Sequence, residues 1–242
     1  VSIDEEGGDV TRLDRAAGSP SPCAAALRAI DDPELTQAVH RAMGADLAEV
    51  GVNLDFAPSV DVNSAAQNPV IGTRSFGADP ALVARHGVAA LRGLQSAGVA
   101  ACVKHFPGHG AAVNDSHHLV PVLDLPLDLL AKRDLLPFRA ALEAEVQAVM
   151  SAHVVIPALT GSVPATLSRA AMHDLLRGEL GFTGVVVTDA VDMGAIAGTV
   201  GIVEGAVRAL AAGVDLICIG PSKGSDVVLS VHLGSSGELV VT

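Results

Sequence analysis

The stretch Gly98-Val99-Ala100-Ala101-Cys102-Val103-Lys104-His105 holds a glycine, a short apolar run and then two basic side chains. A run this short and this apolar, with no polar alternation, reads as a strand buried on both faces of a parallel sheet. The same signature recurs. Apolar runs at Val1–Ile3, Val52–Phe56, Ala148–Ala152, Val185–Thr188 and Val214–Ile219 alternate with Ala- and Leu-rich segments of helical length, at about 33–50, 79–97, 126–146, 168–180 and 202–212. Asp32-Pro33 and Asp79-Pro80 predict an N-cap followed by a first helical turn, and Ser168 predicts a third cap. Gly51, Gly98, Gly181 and Gly213 each stand between a helix and the next strand, where a left-handed residue ends a helix.

This rhythm fits a doubly wound sheet or a (β/α)8 barrel. No Gly-x-Gly-x-x-Gly turn follows any strand, which removes the dinucleotide-binding form of the open sheet. Polar residues recur at the C-terminal strand ends: Asp4, Asp55, Lys104 with His105, His153 and Asp189. In a barrel these positions converge on one mouth, whereas an open sheet spreads them along an edge. The expected fold is an α/β TIM-type (β/α)8 barrel over residues 1–220, with its first strand and helix lying before Val1. Residues 221–242, with Gly234-Ser235-Ser236-Gly237, read as a loop-rich C-terminal tail.

The 242 residues are 50% hydrophobic, enough for one large core and close to the length of such a barrel. A formal net charge of -12 disfavours nucleic acid and anionic membrane as partners. No apolar run reaches the roughly 18 residues of a membrane span. Cys102 and Cys218 lie inside apolar runs and are expected to be small buried core residues. The cysteines leave the compartment open between cytoplasm and secretion, and the sequence carries no oligomeric state.

Four of the nine histidines fall in one segment, Lys104-His105-Phe106-Pro107-Gly108-His109-Gly110 continuing to Asn114-Asp115-Ser116-His117-His118. His105 and His109 have zinc-ligand spacing only on a helix, which Pro107 and Gly108 oppose, so neither metal nor cofactor is expected. General acid/base chemistry fits better. Asp115 and His117 are two apart, so a turn lets the carboxylate fix the imidazole's tautomer. Asp189 closes a strand and is placed to face a ligand, while Asp192 suits capping of the helix that follows. Asp4, beside Gly7 and Gly8, is a candidate acceptor for sugar hydroxyls, and Arg74 a candidate clamp. Gly108 and Gly110 suggest a loop that closes over the ligand.

Taken in order, these segments resemble the family 3 glycoside hydrolases, in the β-N-acetylhexosaminidase branch. The resemblance runs from about Val1 to Gly220 and rests on Ile3-Asp4-x-Glu6-Gly7-Gly8, Phe56-Ala57-Pro58, Ile71-Gly72-x-Arg74-Ser75-Phe76, Lys104 to Gly110, Asp115-Ser116-His117, and Gly181-Phe182-x-Gly184-Val185 leading to Asp189. It implies a TIM-type barrel with Asp189 as nucleophile and Asp115–His117 as the acid/base pair. It implies sugar-holding roles for Asp4, Arg12, Arg74, Lys104 and His105, with His109 in support. The implied substrate is a small carbohydrate carrying terminal β-linked N-acetylglucosamine, from muropeptide or chito-oligosaccharide ends. The chain departs from the family pattern at Glu5, where Gln is usual, and at Asp9, where Arg is common.

The implied reaction is a two-step displacement through a covalent glycosyl-enzyme, with net retention. Three alternatives stand beside it. A β-glucosidase or xylosidase of the same family carries Trp after the nucleophile, where this chain has Ala190. An N-acetylglucosamine phosphorylase would exploit a histidine acid/base that does not repel phosphate. A sugar-binding barrel without catalysis would bind N-acetylglucosamine and not turn it over.

Overall fold

The computed structural model describes residues 1–220, together with the backbone of two short antiparallel strands, Val231–Leu233 (β6) and Leu239–Val241 (β7). The rest of the expected tail, 221–242, lies outside the described residues. Five parallel strands form one sheet in chain order: Ser2–Ile3 (β1), Leu54–Asp55 (β2), Ala100–Phe106 (β3), Ala148–Ser151 (β4) and Val185–Thr188 (β5). The helices between them are Ala24–Ile30 (α1), Pro33–Glu49 (α2), Pro80–Ser96 (α3), Leu127–Leu129 (α4), Leu135–Glu143 (α5) and Pro157–Thr160 (α6), and Gly194–Ala197 (α7) and Ile202–Ala212 (α8) follow β5. A π-helical stretch, Leu130–Asp134, joins α4 to α5, and the predicted helix at 168–180 is realised as another, Ala170–Glu179.

Local chemistry accounts for the element ends. Asp32 and Asp79 each accept two first-turn amides, from Glu34 and Leu35 and from Ala81 and Leu82, ahead of the prolines that open α2 and α3. Gly51, Gly98, Gly181 and Gly213 all have positive φ, as a helix terminator requires. Three expectations are corrected. Ser168 offers its backbone carbonyl, not its hydroxyl, to the amides of Ala171 and Met172, so it is no side-chain cap. Asp192 does not cap α7: its carboxylate accepts the Gly220 amide at 2.7 Å and so ties down the end of the Val214–Ile219 run. That run is not a regular strand. It meets β5 at a single parallel bridge, Val187 with Leu216, because the Cys218 amide bonds the Thr188 hydroxyl instead of a carbonyl.

The sheet curls into half of a barrel. Alternate residues divide between its two faces. Leu54, Phe56, Cys102, Ala148, Met150 and Val187 form an apolar cluster on the concave face. Ala101, Val103, Val149 and Val186 point outward into the larger core shared with the helices. Flat, β1 and β5 would lie about 19 Å apart at 4.8 Å per strand; here residues that follow both strands line one cavity.

α3 packs on β3 and against α2, and the two helices cross through glycines. A Cβ on Gly93 would lie 2.5 Å from the Gln37 carbonyl oxygen and 2.9 Å from the Arg41 nitrogen, both backbone atoms of α2. Gly93→Ala is therefore expected to lower stability by about 1–3 kcal/mol through overpacking. Thermal unfolding followed by circular dichroism measures it, and an unchanged Tm would contradict the crossing described here.

Candidate active site

The strand parity that fills the concave core also builds the site. One more inward position along each strand reaches Asp4, Phe56, Lys104, Met150 and Asp189, and all five line a cavity of about 590 Å³ at the C-terminal strand ends. Cavities of similar size open elsewhere, such as an apolar one beside Val122 and Val155, but this one gathers the strand-end Asp4, Lys104 and Asp189 together with His117. His105 lines it as well, although it neighbours Lys104 in sequence. The β3–β4 register shifts between Val103 and Phe106, which lets two successive side chains face the same space.

Lys104 is the centre of the charge network. Its ammonium is 2.6 Å from both Asp4 Oδ1 and Glu6 Oε1, and its side chain is 1% exposed. Glu6 also accepts from Arg74 Nε at 2.9 Å and Nη2 at 2.7 Å, a bidentate pair. Burial alone would raise the Glu6 carboxyl, but Lys104 and Arg74 outweigh it and hold it well below the usual carboxylate range. Burial would likewise lower Lys104, yet Glu6 and Asp4 keep it above its ordinary value, so it stays charged. An ammonium has three donors. Asp4 and Glu6 take two, which leaves one for a ligand.

A second carboxylate, Asp61, organises the loop after β3. It is fully buried and accepts from His105 Nδ1 at 2.6 Å, from the His109 amide at 2.6 Å and from Ser59 Oγ at 3.1 Å. Burial opposes its charge, but His105 and His109 bring the carboxyl down to about 2. Because a carboxylate only accepts, His105 donates through Nδ1 and keeps Nε2, 3.4 Å from Arg74 Nη2, toward the cavity. Sequence reasoning missed Asp61. The available signal was a lone carboxylate inside the apolar run Val60-Asp61-Val62.

Asp189 lines the cavity and accepts the Ala190 amide at 2.8 Å. Burial would raise its carboxyl; His105, His153, the Ala190 amide and Lys104 together hold it below its ordinary value. His153 is buried behind it, with Nε2 3.0 Å from the Ala190 carbonyl, and bears on the loop rather than on the cavity. Asp55 is also buried away from the lining and accepts the Glu5 amide at 2.9 Å.

The Asp115–His117 pair forms as a tight turn. Asp115 Oδ1 accepts the His117 amide at 2.8 Å and His117 Nδ1 at 2.7 Å. Partial burial would raise Asp115, and the His117 amide and ring reverse that. With Nδ1–H committed to a carboxylate, Nε2 is left for chemistry, and His117 lines the cavity. His109 does not line it. It lies buried behind His105, 5.9 Å between ring centroids, with Nε2 3.1 Å from Ser116 Oγ, and burial depresses it to about 4. The glycines expected to free this loop are packed: a Cβ on Gly110 would be 1.9 Å from the Val62 carbonyl oxygen, and one on Gly108 2.8 Å from Asp134 Cβ.

Arg12 sits at the cavity edge, 3.8 Å from Asp4, and Arg15, absent from the sequence-based candidates, lines the cavity beside it. Glu5 lies outside the lining and accepts from Thr11 Oγ1, the Arg12 amide and Ser19 Oγ, so this departure from the family pattern shapes the loop that presents Arg12. Asp9 is exposed and accepts from Thr73 Oγ1. Cys102 is a buried core residue as expected, but Cys218 is partly exposed and lines the cavity, where burial raises its thiol to about 11.

A carboxylate held below its ordinary value, an imidazole bonded to a carboxylate through one nitrogen and a cluster of hydrogen-bonding charges line one cavity, an arrangement with the groups that acid/base and nucleophilic chemistry requires. Comparison with known proteins makes the class specific. The model of the glycosyl hydrolase family 3 N-terminal domain matches residues 1–236, and the chain belongs to that family. It is 42% identical over 222 residues to β-hexosaminidase LpqI of Mycobacterium tuberculosis, covering 89% of this chain and 57% of that one. It is 39% identical over 241 residues to a β-hexosaminidase of Thiobacillus denitrificans, covering 96% of this chain and 66% of that one. Among solved structures, a family 3 β-N-acetylglucosaminidase from a Paenibacillus species superposes with a TM-score of 0.88 at 50% identity, over 90% of this chain and 41% of that one. The chain thus spans 57% of the length of LpqI and 41% of the Paenibacillus enzyme.

The network predicts a pH-dependent stability. A carboxyl with a lowered folded value stabilises fully above its unfolded value, and loses that stabilisation as pH falls toward the folded one. For Glu6 the loss begins near 4.5 and ends well below the carboxylate range. Glu6→Gln, which leaves Lys104 and Arg74 buried with too little negative charge, is expected to cost about 3–5 kcal/mol at neutral pH. The gap in Tm between wild type and variant should narrow as pH drops below 4.5. A gap that stays constant down to pH about 3 would contradict the assignment.

Proposed function

We propose that this protein is a retaining exo-β-N-acetylglucosaminidase that removes terminal β-linked N-acetylglucosamine from small carbohydrates such as muropeptide or chito-oligosaccharide ends. The observation that carries the reading is the shared cavity: the Asp189 carboxylate and the His117 imidazole held by Asp115 line the same space. The names of the relatives, β-hexosaminidases and β-N-acetylglucosaminidases, support the same sugar.

In this reading Asp189 attacks the anomeric carbon and the leaving oxygen takes a proton from His117 Nε2. Water, deprotonated by His117, then displaces Asp189, and two inversions give retention. Asp115 keeps the ring in the required tautomer and stabilises its protonated form. Asp4, Arg12, Lys104, His105 and Arg74 hold the sugar hydroxyls. Against the effect of burial, its carboxyl is held below its ordinary value chiefly by His105 and His153, so Asp189 is ionised when it attacks. The half-barrel is proposed to be part of a complete TIM-type (β/α)8 barrel. Its curvature and the placement of Val214–Ile219 beside β5 support that closure.

The test is nitrophenol release from the β-N-acetylglucosaminide and the β-glucoside, each with and without phosphate. The expected result is preference for the acetamido sugar with no phosphate dependence. Preference for glucose would overturn the substrate reading, and phosphate dependence would make the protein a phosphorylase. Asp189→Ala is expected to abolish turnover while N-acetylglucosamine still binds; an Asp189→Ala variant of full activity would remove the mechanism.

A further inference from the structure

The loop that follows Asp189 and the loop that carries His117 meet at one glycine. The Gly194 amide donates to the His117 carbonyl at 3.0 Å, and the Ala195 amide donates to the Ser116 carbonyl at 3.3 Å. A Cβ on Gly194 would lie 2.7 Å from the His117 carbonyl oxygen and 2.9 Å from that of His118. Both are backbone atoms, so no side-chain rotation relieves the overlap. Gly194 is not among the glycines with positive φ, so glycine is needed here for space and not for backbone conformation.

The same loop is anchored from its other side. Ser116 is 1% exposed and its hydroxyl meets His109 Nε2 at 3.1 Å, while Asp61 Oδ1 accepts the His109 amide at 2.6 Å. The His117 side chain, by contrast, is 57% exposed, and its ring bonds only Asp115 in the same turn among the described residues. The place of the imidazole is therefore set through the backbone of residues 116–118, between these two anchors.

We propose that Gly194, with the Ser116 hydroxyl opposite, forms a latch that positions His117 relative to Asp189. This rests on the reading of His117 as acid/base. Gly194 follows Asp189 by five residues, in the loop that His153 holds at Ala190, so the latch makes the nucleophile's own loop the ruler for the proton donor. A side chain at 194 must push the His117 carbonyl away. Proton transfer needs hydrogen-bond reach of about 2.6–3.2 Å, and a displacement of about 1 Å costs on the order of 10²-fold.

The full chain provides the test through leaving groups. A methyl or sugar aglycone needs protonation to depart, whereas a 2,4-dinitrophenyl aglycone does not, and kcat/KM reports this first step. Gly194→Ala and Ser116→Ala are each expected to lower kcat/KM for the methyl β-N-acetylglucosaminide about 10- to 100-fold, and to change the dinitrophenyl substrate less than about threefold. His117→Ala sets the reference split. Gly205→Ala, whose Cβ would meet Ile196 Cγ2 at 2.4 Å on the other side of α7, is expected to lower Tm and leave the ratio of the two substrates unchanged. Equal losses on both substrates in Gly194→Ala, alongside a clear split in His117→Ala, would overturn the latch and keep His117 as acid. Should Gly194→Ala fail to fold, Ser116→Ala must show the split or the latch is wrong. No split in His117→Ala would remove the acid/base reading and the latch with it.

Discussion

The buried ammonium of Lys104 is the constraint from which the site follows. It lies in β3, its partners Asp4 and Glu6 follow β1, and β2 runs between the two strands. A charge this deep is tolerated only when paired and hydrogen-bonded, so the two carboxylates must approach it, and Arg74 must balance the second of them. Satisfying one ammonium thus draws the loop after β1 across the mouth of the sheet and brings the segment around Arg74 to the same place. The result is a cavity whose charges nearly cancel and which the ammonium itself lines.

The two ionisable groups assigned to chemistry are set by different surroundings. Asp189 is enclosed by groups that favour its charge, His105, His153, Lys104 and the Ala190 amide, and these outweigh burial. His117 stands half in solvent with a single carboxylate partner. The proposed mechanism needs this difference. A nucleophile must be ionised when it attacks, whereas an acid/base must gain and lose a proton in each turnover. The enclosed group comes from a strand end and the exposed one from a loop whose backbone is held at both sides, so the scaffold places both.

Much of this was legible in the sequence because strand parity is a local property. Once Val185–Thr188 and Val99–Val103 read as buried strands, Asp189 and Lys104 had to fall at their ends, and the cavity took them. Asp115 and His117 were legible because a two-residue spacing closes a turn by itself. What the sequence concealed depends on contacts between distant segments. Asp61 is a lone carboxylate between two valines until His105 and His109 fold over it. Asp192 and Cys218 were misplaced because the end of the Val214–Ile219 run turns to side chains: the Cys218 amide bonds the Thr188 hydroxyl, and the Gly220 amide just past the run bonds the Asp192 carboxylate. Gly108 and Gly110 read as flexible, yet they are small because Asp134 and Val62 press against them. Asp55 and His153 obeyed the strand-end rule but lie under the cavity, where they support loops.

Covalent trapping at Asp189 tests the central claim most directly. A fluorinated N-acetylglucosaminyl fluoride forms a glycosyl-enzyme quickly and releases it slowly, so intact mass followed by peptide mapping locates the attachment. The account predicts one sugar per chain, carried by the peptide that contains Asp189 and lost in Asp189→Ala. Turnover without any adduct, or an adduct on another carboxylate such as Asp4 or Asp192, would contradict it.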